Sequence, residues 1–160
     1  MISHSHKFIF IHIPKCAGTS IESFFYPNII KRKKAVYGSN KYQLDNKAHL
    51  KIKHLIVEYP NLKLNEYFKY VIIRNPWDRV VSSYHHTLRP QRSDLRNFLG
   101  LTESFNFNVF VKRLKNLNKL HPHYDEQFTF LVDENNKKRR DFIGKFENLQ
   151  EDFNIICDKI

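Results

Sequence analysis

The chain has 160 residues, of which 41% are hydrophobic and 14% aromatic, with only 4 Gly and 6 Pro. This composition excludes a disordered or collagen-like chain, and the length suits a single domain with a substantial core. Lys and Arg outnumber Asp and Glu by 27 to 16, a formal net charge of +11. The charge favours an anionic partner such as nucleic acid, an acidic glycan, a membrane surface or a phosphorylated cofactor, and compositional bias toward lysine is an equally good explanation.

Membrane and secretory signals are missing from the sequence. No run approaches the 18 apolar residues of a membrane span, and the first residues lack the apolar stretch of a secretory signal. Cys16 and Cys157 cannot make a disulfide framework, and no set of four metal ligands is in sight. We therefore expect a cytoplasmic protein with reduced thiols.

Strands and helices alternate along the first half of the chain. An apolar run that ends at Pro14 predicts a buried strand, and the turn after it leads into a helix. The predicted elements are a strand over 7–13, a turn over 15–18, a helix over 19–25, a turn at 38–40 within a polar, basic stretch, a helix over 49–58 and a buried strand over 70–73.

The second half continues the alternation. The predicted elements are a helix from Pro76 to about Leu88, a loop over 89–102 with Pro90 and Gly100, a helix over 105–117, strands over 127–132 and 141–146 with a turn at 135–136 between them, and a helix over 147–157. This order predicts an α/β fold with a central, mainly parallel sheet. We expect one domain over residues 1–160.

The segment between the first strand and the first helix carries residue types that bind phosphate. Residues 14–20 (PKCAGTS) combine Lys15, a tight turn at Gly18 and the hydroxyls of Thr19 and Ser20. The first N–H groups of a helix are unpaired and the helix dipole is positive there, so this segment can cradle an anion. An ordinary strand–turn–helix with a threonine cap is the alternative interpretation.

The segment differs from the phosphate loop of nucleotide hydrolases, G-x-x-x-x-G-K-[ST]. Gly18 is followed by Thr19, and the lysine, Lys15, precedes the turn. The second strand ends in Arg74, where hydrolases often keep an Asp for Mg²⁺. The sequence therefore predicts a second anion site at Arg74 and no metal.

Three segments resemble the sulfotransferases. Residues 14–20 closely resemble their 5′-phosphosulfate loop, and residues 74–82 (RNPWDRVVS) resemble their 3′-phosphate motif, an arginine with a serine eight residues later. Residues 142–149 (FIGKFENL) with 151–153 (EDF) resemble a third segment of the carbohydrate branch, which includes heparan and chondroitin sulfotransferases and bacterial relatives. The three segments occur in family order over nearly the whole chain.

The resemblance implies that 3′-phosphoadenosine 5′-phosphosulfate (PAPS) is the donor, adenosine 3′,5′-bisphosphate (PAP) the product, and a saccharide hydroxyl the acceptor. It also implies a P-loop-like, three-layer α/β fold with a central parallel sheet flanked by helices. The donor has two separated anionic ends, and the sequence offers two anion sites. Cationic side chains and backbone amides can replace Mg²⁺ around the transferred sulfuryl group, so we expect no metal.

The resemblance also implies the residues that bind the donor. They are Lys15, Cys16, Ala17, Gly18, Thr19, Ser20, Arg74 and Ser82. Lys15 is expected at the bridging oxygen and the sulfate, where it stabilises charge on the leaving phosphate. Arg74, with its planar bidentate grip, and Ser82, about two helical turns along, are expected at the 3′-phosphate. Trp77 could stack on adenine, although a buried core position is the preferred interpretation.

We predict that His49 is the general base for the acceptor hydroxyl. It lies between the two phosphate motifs, an interval in which carbohydrate sulfotransferases place a catalytic histidine. The other candidates are His121 and His123 beside Pro122, His85 and His86 after the 3′-phosphate motif, and the weaker Glu22. His12 ends the first strand and is expected to be structural. Cys16 is interpreted as a small spacer, with a reactive thiol as the alternative.

Two other functions stay open. An ATP-dependent P-loop phosphotransferase is one, although the missing Gly-Lys-Ser/Thr and the missing Mg²⁺-site Asp argue against it. A non-catalytic relative that binds a nucleotide or polyanion is the other. Relatives usually continue past the closing helix, so the chain is either a short natural version or a domain truncated at its C-terminus.

The basic runs at 31–34 and 137–140 could bind an acidic acceptor, although a solvated loop is the preferred interpretation of each. No zinc spacing, RNA-binding aromatic motif or recognition helix indicates a specific nucleic-acid partner. The identity of the acceptor, its sulfated position and the oligomeric state are left open by the sequence.

Overall fold

The computed structural model describes residues 1–25, 49–102, 104–117 and 121–160. The chain divides into two compact units, one formed by Met1–Arg74 and Glu126–Ile160 and the other by Asn75–Asp125. The turn predicted at 38–40 and the basic run at 31–34 lie outside the described residues. One domain over residues 1–160 stays a prediction.

A four-stranded sheet forms the centre of the first unit. Its strands, in spatial order, are β1 (Ile2–Ser3), β2 (Phe8–Ile11), β3 (Phe68–Ile73) and β4 (Phe142–Lys145). β1 is antiparallel to β2, whereas β2, β3 and β4 are parallel to one another. The predicted strands at 7–13, 70–73 and 141–146 are confirmed, while the short β1 was not predicted. The α/β fold with a mainly parallel sheet and flanking helices is confirmed.

Five helices of the described ranges match predicted helices with small shifts at their ends, and a sixth, at Ser93–Leu99, was not predicted. They are α1 (Gly18–Phe25), α2 (Ile52–Glu58), α3 (Pro76–Thr87), α4 (Ser93–Leu99), α5 (Phe107–Lys115) and α6 (Leu149–Cys157), with short 3-10 helices at Leu64–Glu66, Pro90–Arg92, Gln127–Phe130 and Phe146–Asn148. In these same ranges, no helix combines the length and the apolar character needed to cross a bilayer.

The core of the first unit explains why β2 and β3 are nearly continuous apolar runs. Both strands are buried along most of their length, as parallel strands covered on both faces require. Phe10 and Tyr70 stack with ring centroids 5.1 Å apart, and Ile52 of α2 and Ile156 of α6 are fully buried. Burial of each such side chain contributes about 1.5–3 kcal/mol, so this core holds the carboxyl ends of β2 and β3 in place.

The strand predicted at 127–132 is wrong. Residues Gln127–Phe130 form a 3-10 helix, closed by the hydrogen bond from the N–H of Leu131 to the carbonyl of Phe128. The run of β-branched and aromatic residues suggested a strand, but burial does not alternate, because Phe130, Leu131 and Val132 are all buried. The turn predicted at 135–136 is present, with Asn136 at φ 58°.

The loop predicted at 89–102 is also wrong, since these residues contain the 3-10 helix Pro90–Arg92 and helix α4. Pro90 begins the first of these helices, and Gly100 ends the second with φ 62° in the left-handed region. The two residues that suggested a loop therefore mark helix boundaries. The buried Arg96 donates to the carbonyls of Thr87 and Arg89 and so links α4 to the end of α3.

Helix α3 begins as the sequence predicts. Pro76 occupies its first turn, and the side chain of Asn75 accepts a hydrogen bond of 2.9 Å from the N–H of Trp77. The core position preferred for Trp77 is wrong, because this side chain is 80% exposed. At the N-terminus of α3, the indole projects from the helix surface instead of into the apolar interior.

Candidate active site

The loop between β2 and α1 has an unusual backbone. Lys15 and Ala17 have φ angles of 69° and 61°, in the left-handed region that non-glycine residues rarely adopt. The carbonyl of Ala17 accepts hydrogen bonds from the N–H groups of Ser20 and Ile21, which starts helix α1. Such backbone conformations cost free energy and cluster at ligand-binding sites. Thr19 and Ser20 lie exposed in the first helical turn, where backbone N–H groups precede the helical hydrogen-bonding pattern.

Gly18 is required by the ring of His12. A Cβ atom built at Gly18 would lie 1.8 Å from Nε2 of His12, which leaves no space for any other residue. His12 follows β2 and is buried, as its expected structural role requires. The imidazole therefore forms the floor beneath the first turn of α1.

Glu22 engages the other side of the His12 ring. Its Oε1 lies 2.8 Å from Nδ1 of His12, and both side chains are largely buried. Burial alone would raise the pKa of Glu22, but the hydrogen bond from His12 and electrostatic interactions with His12, the N-terminal amine and His49 lower it below its ordinary value. Glu22 is therefore a carboxylate at neutral pH, and Nδ1 of His12 carries the shared proton.

His49 packs against the same histidine. The two rings meet edge to face with centroids 4.5 Å apart, and Nδ1 of His49 lies 3.3 Å from the carbonyl oxygen of His12. A carbonyl only accepts hydrogen bonds, so Nδ1 of His49 carries the proton of the neutral ring and Nε2 carries the lone pair. The tertiary structure thus links His49 through His12 to the loop at Gly18.

Arg74 extends from the end of β3 toward the same loop. Its Nη1 donates to the carbonyl of Lys15 at 3.4 Å, and its guanidinium lies over the ring of Phe146, 4.1 Å from the centroid. The Nε atom of Arg74 is buried and has no hydrogen-bond partner among the described residues. The guanidinium is therefore held beside the loop and keeps a donor that no described residue satisfies.

Two residues that contact Arg74 were not singled out from the sequence. Phe146 lies beneath the guanidinium, and the side-chain amide of Gln127 hydrogen bonds to the backbone of Arg74. Phe146 lies in the third resembling segment, which is a signal that could have found it. Gln127 carries no local signal, because it contacts Arg74 only through the tertiary fold.

The remaining predicted residues lie in the second unit, which extends over Asn75–Asp125. Ser82 is half-buried on α3. The rings of His86 and His123 stack 5.3 Å apart, and His121 contacts Phe98 with centroids 4.7 Å apart. Burial lowers the pKa of His121, partly opposed by Asp125 and Asp94. Ser82 as a partner of Arg74, and His121 as an alternative base, stay predictions.

The structure also describes the basic run at 137–140 and the arrangement of possible metal ligands. Arg139 pairs with the buried Asp133 at 2.7 Å, whereas Lys137 and Lys138 are exposed. Across the part of the chain that the structure describes, no three His, Cys, Asp or Glu side chains are grouped to hold a metal ion.

Comparison with protein families gives a match over the whole chain. The model of the sulfotransferase family matches residues 1–160. Searches of curated proteins and of solved structures found no significant match. The family match covers the strand–loop–helix at Lys15, the arginine at the end of β3 and the mainly parallel sheet, which fits a P-loop-like fold. The chain therefore belongs to the sulfotransferase family and is an enzyme that transfers sulfuryl groups.

Proposed function

We propose that the enzyme uses PAPS as its donor and transfers the sulfuryl group to a hydroxyl of a saccharide acceptor. The observation that supports this most is the contact between the two predicted anion sites, in which Nη1 of Arg74 donates to the carbonyl of Lys15. PAPS carries anionic groups on both sides of its ribose, and a donor of that shape needs two cationic sites at a short separation.

The chemistry of these residues fits the donor. The first turn of α1, with the hydroxyls of Thr19 and Ser20, suits the 5′-phosphosulfate, because backbone N–H groups and the helix dipole favour negative charge there. Arg74 suits the 3′-phosphate, since its buried Nε is unpaired among the described residues and its fork can bind two oxygens. Ser82 is proposed as a second 3′-phosphate ligand on the strength of the sequence motif alone.

Each catalytic role is assigned to one side chain. Lys15 stabilises the negative charge that develops on the leaving phosphate, which lowers the barrier without a metal ion. His49 accepts the proton of the acceptor hydroxyl at Nε2, because its Nδ1 donates to the carbonyl of His12. The transfer is direct and in line, with no covalent enzyme intermediate. Glu22 is assigned to the support of His12 and not to proton transfer.

Calorimetric titration with PAP, AMP and ATP tests the donor. A charge-assisted contact to the 3′-phosphate is worth about 1.5–3 kcal/mol, so AMP should bind at least about tenfold more weakly than PAP. Equal affinities for PAP and AMP would contradict the proposal, and preference for ATP would favour a phosphotransferase.

Transfer of label from PAPS to a panel of glycans tests the acceptor. Labelled product with a saccharide, and none with protein or small phenol acceptors, is the expected result. Tight PAP binding without transfer to any glycan would instead favour a relative that binds nucleotides or polyanions without turnover.

A further inference from the structure

The side-chain amide of Gln127 makes two hydrogen bonds to the backbone of one residue. Its Oε1 accepts the N–H of Arg74 at 2.9 Å, and its Nε2 donates to the carbonyl of Arg74 at 2.7 Å. Arg74 follows the last residue of β3, where ladder pairing with β4 ends at Ile73. The amide thus replaces a neighbouring strand for one more residue, and it needs both a donor and an acceptor to do so.

The same amide also contacts the loop between β2 and α1 (residues 14–20), hereafter the phosphate loop. The thiol of Cys16 lies 3.4 Å from Oε1 of Gln127 and 3.6 Å from the carbonyl of Pro14, and Cys16 is 1% exposed. Cys16 stands between Lys15 and Ala17, the two residues with left-handed backbone. One oxygen atom of Gln127 therefore lies between the loop and the backbone of Arg74.

Gln127 is held on a rigid support. It begins the 3-10 helix Gln127–Phe130, and the ring of Phe130 is fully buried in the first unit. A side chain on such an element can set the position of a neighbouring segment instead of following it.

We propose that Gln127 is a positioning residue that aligns the Arg74 guanidinium with the phosphate loop and thereby sets the selectivity for a 3′-phosphorylated nucleotide. The proposal rests on the proposed function, in which Arg74 binds the 3′-phosphate. Gln127 itself touches neither substrate. Without the amide, backbone pairing stops at Ile73, and the guanidinium of Arg74 loses its fixed place over Phe146 and beside Lys15.

Gln127→Met tests the proposal, because methionine matches the length of glutamine and removes all three hydrogen bonds. PAP affinity should fall about tenfold, because the two hydrogen bonds that hold the Arg74 backbone contribute about that much. AMP affinity should change less than about twofold, because Gln127 contacts the loop only through the weak bond to the Cys16 thiol. A merely structural role would lower the melting temperature and reduce both affinities equally. That proportional loss, or no loss at all, would overturn the proposal.

Gln127→Glu is the second variant, in case the methionine variant does not fold. It keeps the length and the acceptor but loses the donor and places a negative charge beside the 3′-phosphate site. PAP affinity should therefore fall further than in the methionine variant. Gln150→Met is the matched control, because Gln150 lies exposed on α6, where its side-chain amide donates to Asn154. The PAP-to-AMP ratio should be unchanged in this control.

Thiol labelling provides a readout that needs no nucleotide. Removal of Oε1 should raise the labelling rate of the buried Cys16 by about fivefold or more, because local opening controls the reaction of a buried thiol. Cys157 on α6 is the internal reference and should react at an unchanged rate. If the wild-type enzyme does not prefer PAP to AMP, the proposed function fails. The labelling rate of Cys16 then decides by itself whether Gln127 holds the loop. An unchanged Cys16 rate would then overturn the proposal.

Discussion

The two proposed anion sites of the first unit are built in different ways. The loop at residues 14–20 joins consecutive elements, and its shape comes from backbone conformation and from the glycine at position 18 against His12. The site at Arg74 is a single side chain, held by Gln127 and Phe146 from later parts of the chain. The first is a local backbone cradle, whereas the second is an assembly of distant side chains.

This difference predicts different responses to substitution. In the proposed function, changes in the loop alter the place where 5′-phosphorylated nucleotides bind and where the sulfuryl group is transferred. Changes around Arg74 alter only the recognition of the 3′-phosphate. The loop should therefore govern turnover, and the Arg74 assembly should govern selectivity.

The largest effect is expected for His49→Ala, which removes the proposed base beside the loop. Turnover should fall by roughly 10²–10⁴-fold, the usual contribution of a positioned base, while PAP affinity is retained. Steady-state rates and calorimetry measure the two quantities. His54→Ala, at an exposed position of α2, is the matched control and should keep wild-type turnover. Full activity in the His49 variant would transfer the role to His121 or Glu22, tested as His121→Ala and Glu22→Gln.

The comparison of Lys15→Ala with Arg74→Ala directly tests whether the loop governs turnover and the Arg74 assembly governs selectivity. Arg74→Ala should weaken PAP binding by about 1.5–3 kcal/mol and leave AMP binding nearly unchanged. Lys15→Ala should lower turnover at saturating PAPS more than it lowers PAP affinity, because its charge acts on the leaving phosphate. Loss of affinity alone in both variants, with normal turnover at saturation, would refute the catalytic role of Lys15.

Gly18→Ala should damage the loop through its contact with His12. The added Cβ would overlap the imidazole, and such overpacking costs about 1–3 kcal/mol of unfolding free energy. PAP and AMP affinities should fall together, because both nucleotides use the 5′ site. Gly100→Ala is the control: a Cβ atom there meets no atom within 4 Å, although the positive φ of Gly100 strains any other residue. It should lower stability without changing either affinity.

Glu22→Gln should show a smaller, pH-dependent effect. The pKa of Glu22 is lowered in the folded protein, so its carboxylate stabilises the fold above its ordinary pKa of 4.5 and loses this contribution as the pH falls through the folded value. The difference in unfolding free energy between wild type and variant should therefore be greatest at neutral pH and shrink in acid. Urea unfolding at several pH values measures it, and a pH-independent difference would argue against the pair with His12.

The smallest effect is expected for metal removal. Lys15, Arg74 and the first turn of α1 supply the positive field of the proposed mechanism, so sulfuryl transfer should survive EDTA and gain little from added Mg²⁺. Initial rates with and without chelator measure this. A strict requirement for Mg²⁺ would favour phosphoryl transfer and contradict the proposed roles of Lys15 and Arg74.

Local patterns were enough to predict much of the fold. β2 and β3 could be predicted from their apolar runs, because parallel strands are buried on both faces. The start of α3 at Pro76 and the loop with Gly18 are also encoded in neighbouring residues. Pro90 and Gly100 were misread as loop residues, since the same residue types mark both loops and helix ends.

By itself, the sequence determined most of the order of strands and helices, and it led to the hypotheses that residues 14–20 bind phosphate and that Arg74 binds a second anion, because each depends on residues close together in the chain. Only the tertiary structure decided that His49 lies against His12, and that Gln127, 53 residues from Arg74, holds its backbone. Hydrogen bonds between distant residues leave no periodic or spacing signal in a single sequence. They exist because the buried core brings the ends of β2 and β3 and the helix at Gln127 together.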